Sequence, residues 1–357
     1  MKTKIAIILV ALLFAWNPIS AQSVDDKIYE AIRLINNSDL SSAIRLLNEV
    51  LDEHPNHYGA TYELALAHFL NKNYEKTAEL LQRAITMPDA TDQTFAMLGN
   101  AYDMCGDKEK AMATYNEGLK KFPKSGYLYT ELGITSAIHE NYDDAISYHW
   151  KGIQADPDFS SNYYWATKIY ASSSEPMWAL VLGEMYLAVE KFNAKRLYEV
   201  SGIIAQTYRS MLEIEGDSIT VKQSQPINIY IDEKSDDPEQ FVKAMMKLSV
   251  QFPASLHIAA AIEAPDSIDA ETLCLIRERF TDQIVSNEIL WKKYPNPFVS
   301  HLVAVRNAGV ENAYLHYILL LNNPAELKKW AVQHPIEWQL FAEWLGNYTP
   351  SFNGEYH

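Results

Sequence analysis

The chain has 357 residues, 46 Asp and Glu against 30 Lys and Arg, a formal net charge of −16 and 48% apolar residues. So acidic a surface repels phosphate backbones and anionic headgroups, which excludes nucleic acid as a partner class. The apolar content fills cores, and the length allows two domains. Only Cys105 and Cys274 occur, far apart. That rules out a disulfide scaffold and any CxxC redox or zinc motif, and two buried free thiols are favoured over a single bridge.

The chain starts with Lys2 and Lys4, continues with an apolar run over 5–16, and then reaches Asn17, Pro18, Ser20 and Ala21. A basic start, an apolar middle and small residues at a cleavage site are the pattern of a secretory signal peptide over 1–21. The run is short of the roughly 20 residues that span a bilayer. Cleavage before Gln22 would also remove Lys2 and Lys4, taking the net charge from −16 to −18. With no cysteine at that point for lipid attachment, the mature protein is expected to be periplasmic or secreted, without membrane insertion.

Ala43, Thr77, Ala111, Ala145 and Ala179 recur every 34 residues inside segments that look alike. The clearest segment starts at Asp92 and carries Phe95, Leu98, Gly99 and Tyr102, then Gly106, Ala111, Tyr115 and Pro123. A second, from Gly126, has Tyr129, Leu132, Gly133, Tyr142, Ala145 and Pro157. A third, from Tyr58, has Leu64, Ala65, Tyr74, Leu81 and Ala84, with His68 where an aromatic is usual. Weaker copies start at Val24 and Ser160. Small residues let paired helices approach, large apolar ones fill the seam, and proline ends the second helix. These segments resemble the tetratricopeptide repeat over 24–191. The resemblance implies a solenoid of helical hairpins whose stacked neighbours bury one another's apolar faces.

Residues 193–214 continue a helical pattern as an extra helix, so the repeat domain is expected over 22–214. Over 215–357 a mainly helical region follows. It opens with alternating runs at Ile219 and Val221 and at Ile227, Ile229 and Ile231, which predict a small β-hairpin turning at 223–226. Helices are expected at 239–251, 255–263, 270–293, 298–307, 311–321, 324–333 and 336–346. The fold class is therefore all-α: a helical-hairpin solenoid followed by a mainly helical domain with a small β-hairpin.

No sequence motif for chemistry emerges. His54 and His57 fall in a turn between repeats and His68 in a helix seam, so capping and packing explain them better than metal binding. His301, His316 and His334 lie on different helices with no matching acid or cysteine spacing. There is no GxSxG, P-loop or dinucleotide fingerprint, and 13 glycines leave little material for phosphate cradles. No catalytic, cofactor or metal residue is assigned, and a non-enzymatic role is expected. Alternatives are a carbohydrate-binding protein of the cell envelope, given 22 Tyr, 12 Phe and 8 Trp, or a hydrolase with its site in the second half.

The resemblance also implies which side chains line the concave face of the first helices. They are Ile28, Ile32 and Ile35 in repeat one, then Tyr62, Leu66, Phe69 and Leu70 in repeat two and Gln93, Asn100, Asp103 and Met104 in repeat three. Repeat four contributes Tyr127, Thr130, Ile134 and Ile138, and repeat five Tyr164, Lys168 and Ser172. One basic residue cannot reproduce the several-residue clamp with which some family members hold a peptide carboxylate. A face this apolar suits a protein or peptide partner with an amphipathic helix or an apolar segment. The chain's own later helices, or a second copy through self-association, are competing occupants.

Overall fold

The computed structural model describes residues 23–216, 218–222, 238–261, 267–348 and 350. The expected signal peptide and the run at 227–231 lie outside them. Five helical hairpins come first: α1 (Val24–Asn36) with α2 (Leu40–Glu53), α3 (Tyr58–Leu70) with α4 (Tyr74–Ala84), and α5 (Asp92–Met104) with α6 (Lys108–Lys121). They continue as α7 (Gly126–Ile138) with α8 (Tyr142–Ala155) and α9 (Ser160–Ala171) with α10 (Met177–Val189). The extra helix α11 (Ala194–Met211) follows.

The 34-residue period is written into the backbone. Ser38, Lys72, Gly106 and Glu140 take φ of 63°, 59°, 83° and 62° in the turns inside the first four hairpins. This left-handed residue lets the next amide reach back and close the helix end. The amides of Asp39, Asn73, Asp107 and Asn141 donate to the carbonyls of Leu34, His68, Tyr102 and Ser136, each at 2.9 Å. The side chains of Asp39, Asn73 and Asp107 then cap the following helix by accepting from Ser42, Lys76 and Lys110 amides at 3.2, 3.3 and 3.1 Å. His57 caps α3 in the same way, accepting from the Ala60 amide at 3.2 Å.

Seam packing follows the small residues. Ala43, Thr77, Ala111, Ala145 and Ala179 are all fully buried. Gly133 is small because the His149 ring fills its place: a Cβ there would lie 2.6 Å from Nε2 and 2.8 Å from Nδ1. Gly152 stands in the same relation to Asn162, whose Oδ1 would be 2.6 Å from an added Cβ.

The chain forms two compact units, divided between Thr114 and Tyr115 within α6. The first has its own core, running from Ala31 to Ala101 through Leu47, Leu64 and Leu81. The second contains the fourth and fifth hairpins together with the carboxy-terminal elements. Its core includes Trp150, Trp178, Tyr186, Phe252, Phe280, Trp291 and Phe298.

The later elements correct three expectations. The hairpin is formed by β1 (Leu212–Glu215) and β2 (Ser218–Val221), antiparallel with Leu212 opposite Val221 and Glu215 opposite Ser218. Ile219 and Val221 thus pair with the end of the stretch read as helix 193–214, because Gly216, at φ 61°, supplies the tight turn. Pro253 does not break the chain: α12 (Pro238–Ala260) runs through it. Phe252 and Leu256 on either side are fully buried, and their packing outweighs the roughly 3 kcal/mol an interior proline costs. The expected helix 270–293 is split into α13 (Ala270–Val285) and α14 (Glu288–Lys293), because Asn287 caps the second piece by accepting from the Leu290 amide at 3.3 Å. Helices α15 (Pro297–Asn307), α16 (Glu311–Leu320), α17 (Pro324–Gln333) and α18 (Pro335–Asn347) complete the described chain. Among the described residues no helix is long and apolar enough to cross a membrane.

Candidate partner-binding faces

In the first unit α1, α3 and α5 are neighbours, as the first helices of successive hairpins. Tyr62, Leu66 and Phe69 are half-buried against the core, and Asn100 is half-buried. Leu70 and Met104 are 50% and 54% exposed. The base is firm. Tyr58 packs on Tyr62 with ring centres 6.0 Å apart and shares a 2.6 Å hydrogen bond with the Thr94 hydroxyl, and Phe69 meets Tyr74 edge-on at 5.4 Å. Burial, helped by Tyr58, Glu63 and Asp92, pushes the Tyr62 phenol up to about 12. Burial also raises the Glu63 carboxyl.

The second unit treats the corresponding positions differently. Tyr127 is half-buried, edge-on to Phe159 at 6.1 Å, Ile134 is half-buried and Ile138 is 64% exposed. Thr130 and Tyr164, expected on the face, are buried. The Thr130 hydroxyl lies 3.0 Å from the Gly126 carbonyl and 2.9 Å from Asn162 Oδ1. Tyr164 donates to Glu199 Oε2 at 2.7 Å beneath the Arg196 guanidinium, 4.3 Å from the ring centre. Lys168 is already paired with Glu199 Oε1 at 2.7 Å, a contact that holds its ammonium above the usual lysine range. Helix α11 thus engages two of these side chains. Between α9 and α11 a cleft of about 330 Å³ remains, lined by Lys168, Ser172, Ile203, Gln206 and Thr207 among others.

Two side-chain clusters escaped the sequence reading. Glu184 of α10 and Arg277 of α13 form an ion pair at 2.6 Å, their side chains 0% and 1% exposed. Tyr314 donates to Glu184 Oε2 at 2.9 Å, and His301 lies between the Tyr314 and Tyr348 hydroxyls at 2.9 and 3.0 Å. Burial first, and the Arg277 charge second, lower the His301 imidazole to about 3, so it is neutral. The signal was there: Glu184 is the only charged residue in α10, and a lone charge in a buried helix needs a partner.

The other cluster places Cys274 Sγ 3.8 Å from His316 Nδ1, with Trp330 stacked on His316 at 4.2 Å and on His334 at 4.5 Å. It is the described arrangement closest to a nucleophile with its base. Its electrostatics oppose that use. A reactive cysteine needs a lowered pKa, whereas burial and the nearby Glu271, Asp269 and Glu278 push this thiol up to about 12. His316 Nδ1 lies 2.8 Å from the Asn312 carbonyl. Cys105 and Cys274 are both free thiols, the first exposed and the second buried.

Stacked helical hairpins with left-handed turns every 34 residues define a helical-repeat protein. Family models described as tetratricopeptide repeat match residues 30–93 and 96–125, and the amino-terminal part of the chain is a tetratricopeptide-repeat segment. Hairpins α7–α8 and α9–α10 continue its architecture beyond the matched residues. The chain is similar to BBSome complex member BBS4 of Bos taurus, 24% identical over 156 residues, 38% of this chain and 30% of that protein. It thus spans less than a third of that relative. Solved structures similar to it include MamA, at 21% identity and TM-score 0.39 over 46% of this chain and 96% of that one. Another is YrrB, titled a TPR protein with an unusual peptide-binding site, at 16% identity and TM-score 0.35 over 50% of this chain and 93% of that one.

Proposed function

We propose that this protein is an exported, non-enzymatic scaffold that holds a partner protein on the exposed face of its first helices. The observation that carries the reading is the half exposure of Leu70 and Met104, at the carboxy-terminal ends of the neighbouring helices α3 and α5, with Tyr62, Leu66 and Phe69 half-buried along α3. These lie on rigid helices of a repeat segment, and apolar side chains grouped on a firm base mark interaction sites. Burial of the Cys274 thiol beside Glu271, Asp269 and Glu278 opposes its use as a nucleophile. A photo-crosslinking amino acid at Leu70 should capture a second polypeptide in the native cell, while the same group at Ile289, 85% exposed on α14, should not. Equal capture at both positions, or none at Leu70, would refute the assignment. Export rests on the residues at 1–21, and amino-terminal sequencing of native protein should begin at Gln22; a start at Met1 would contradict it.

A further inference from the structure

We propose that the cleft between α9 and α11 is a separate binding site, for a neutral hydroxylated small molecule of the class of simple sugars. It lies wholly within the second unit, away from Leu70 and Met104 in the first, so either assignment can fail without the other.

The walls of the cleft carry polar groups that the protein itself leaves unused. Ser172, at the carboxy-terminal cap of α9, and Gln206 of α11 are exposed, and Thr207 lines the same cleft at 5% exposure. The side chains of these three make no hydrogen bond to another described residue. The Ser210 hydroxyl donates to the Thr207 carbonyl at 2.8 Å and keeps its lone pairs for accepting. A buried hydroxyl without a partner costs stability, and valine would fill the same space without that cost. Thr207 therefore holds in the cleft a polar group that a guest can satisfy.

The electrostatics select a neutral guest. Lys168 is the one charged residue of the lining, and it is already paired with Glu199 Oε1 at 2.7 Å. An anion would have to compete with that carboxylate, and a cation would meet the ammonium. With Glu199 and the Tyr164 hydroxyl, at 3.4 Å, taking two of its protons, the ammonium keeps a third for a hydroxyl oxygen. Hydroxyls and a carboxamide both donate and accept, which matches a ligand whose own groups do both. Ile203 and Ala171 add apolar surface for its C–H groups. The volume of about 330 Å³ stands at the small end of the roughly 300–1,000 Å³ that small-molecule sites occupy. A ring with hydroxyls on its edge and C–H groups on its face meets all of these conditions.

The test uses the full chain with isotope-labelled isoleucine methyl groups, followed by NMR, the Ile203 signal being assigned with Ile203→Val. The probes are D-glucose, D-galactose, D-mannose and N-acetyl-D-glucosamine. At least one of them should shift the Ile203 methyl saturably, with a Kd below roughly 10 mM, and leave the Ile289 methyl on α14 unmoved. The matching uronic acid and amino sugar should bind more weakly. Gln206→Ala and Ser172→Ala, both at exposed positions, should each weaken binding about fivefold at unchanged melting temperature. Thr207→Val should weaken binding and raise the melting temperature, because it removes a buried hydroxyl without a partner; a hydroxyl with a purely structural role would give a lower melting temperature and unchanged affinity. No shift of the Ile203 methyl by any of the sugars, tighter binding of the uronic acid or the amino sugar, or equal binding of a tetra-alanine peptide would overturn the proposal. A Thr207→Val protein that binds as tightly as wild type would overturn it as well.

Discussion

The two units use one helical grammar and finish their surfaces differently. In the first, the inner positions of α3 and α5 are left apolar and partly open, with Leu70 and Met104 half exposed. In the second, the chain supplies cover of its own. Residues 177–188 of α10 are all buried, Tyr164 and Lys168 are engaged by Glu199 of α11, and Glu184 is met by Arg277 from 93 residues away. A repeat cannot bury its apolar face alone. The second unit solves that with its own later helices, whereas in the first Leu70 and Met104 stay half exposed.

The largest expected effect breaks the second unit's solution. Arg277→Met strands the Glu184 carboxylate in a dry interior and should cost about 3–5 kcal/mol. Pairing it with Glu184→Leu should return much of that loss, because hydrophobic replacement of a whole buried pair is often neutral. Urea unfolding measures both. In hydrogen exchange the Arg277→Met loss should weaken protection in α10, α13 and α16 and leave α1 to α5 unchanged. A uniform loss would show that the two units do not differ in this way.

A smaller effect is expected at Gly133. Alanine normally stabilises a helix by about 1 kcal/mol relative to glycine, but here its Cβ would press into the His149 ring, so Gly133→Ala should instead destabilise by about 1–3 kcal/mol. Gly133→Leu should cost more. Thermal melts matching wild type would contradict the packing of α7 on α8.

Acid should also act on the second unit first. Burial lowers the His149 imidazole from 6.5 to about 4, opposed by its hydrogen bond to Asn162. A base whose folded pKa is depressed takes up its proton more readily when unfolded. The stabilisation is therefore present above pH 6.5 and is lost as pH falls toward about 4, roughly 3 kcal/mol in all. His149→Gln should flatten that part of the profile in melts over the same window, and an unchanged slope would place the acid sensitivity elsewhere.

The smallest effects lie in the repeated turns. Gly106→Ala should cost about 1 kcal/mol, since a Cβ strains a left-handed residue. Lys72→Gly should gain a few tenths of a kcal/mol, the relieved strain being largely offset by glycine's backbone entropy. Chemical denaturation of the pair would read both signs.

The repeats were legible because their signal is local and recurs: a small residue every 34 positions, a capping Asp or Asn after each turn, proline after several hairpins. Helices α15 to α18 were legible from proline and glycine breaks. Where tertiary packing overrode a local rule, the sequence misled, as at Pro253, which α12 absorbs because its neighbours are core. Strand β1 was missed because Leu212 to Glu215 prolong a helical pattern, and only pairing with β2 decides between the two. Of the face residues, the exposed apolar positions Leu70 and Met104 were visible in the repeat register, whereas the burial of Thr130 and Tyr164 depends on Asn162 and Glu199, 32 and 35 residues further on. Each separation falls within two residues of the 34-residue period, so that signal was available. Glu184 with Arg277 and Cys274 with His316 join segments that no periodicity links.

The most direct measurement is affinity capture from the native cell with wild type and with the Leu70→Glu, Met104→Glu double variant, each accompanied by a thermal melt. Both positions are exposed, so the melts should agree to within about 0.5 kcal/mol. If the first unit's open face holds a partner, the double variant should lose a polypeptide that wild type retains, at unchanged stability. The same set of captured polypeptides from both proteins, with matching melts, would contradict it.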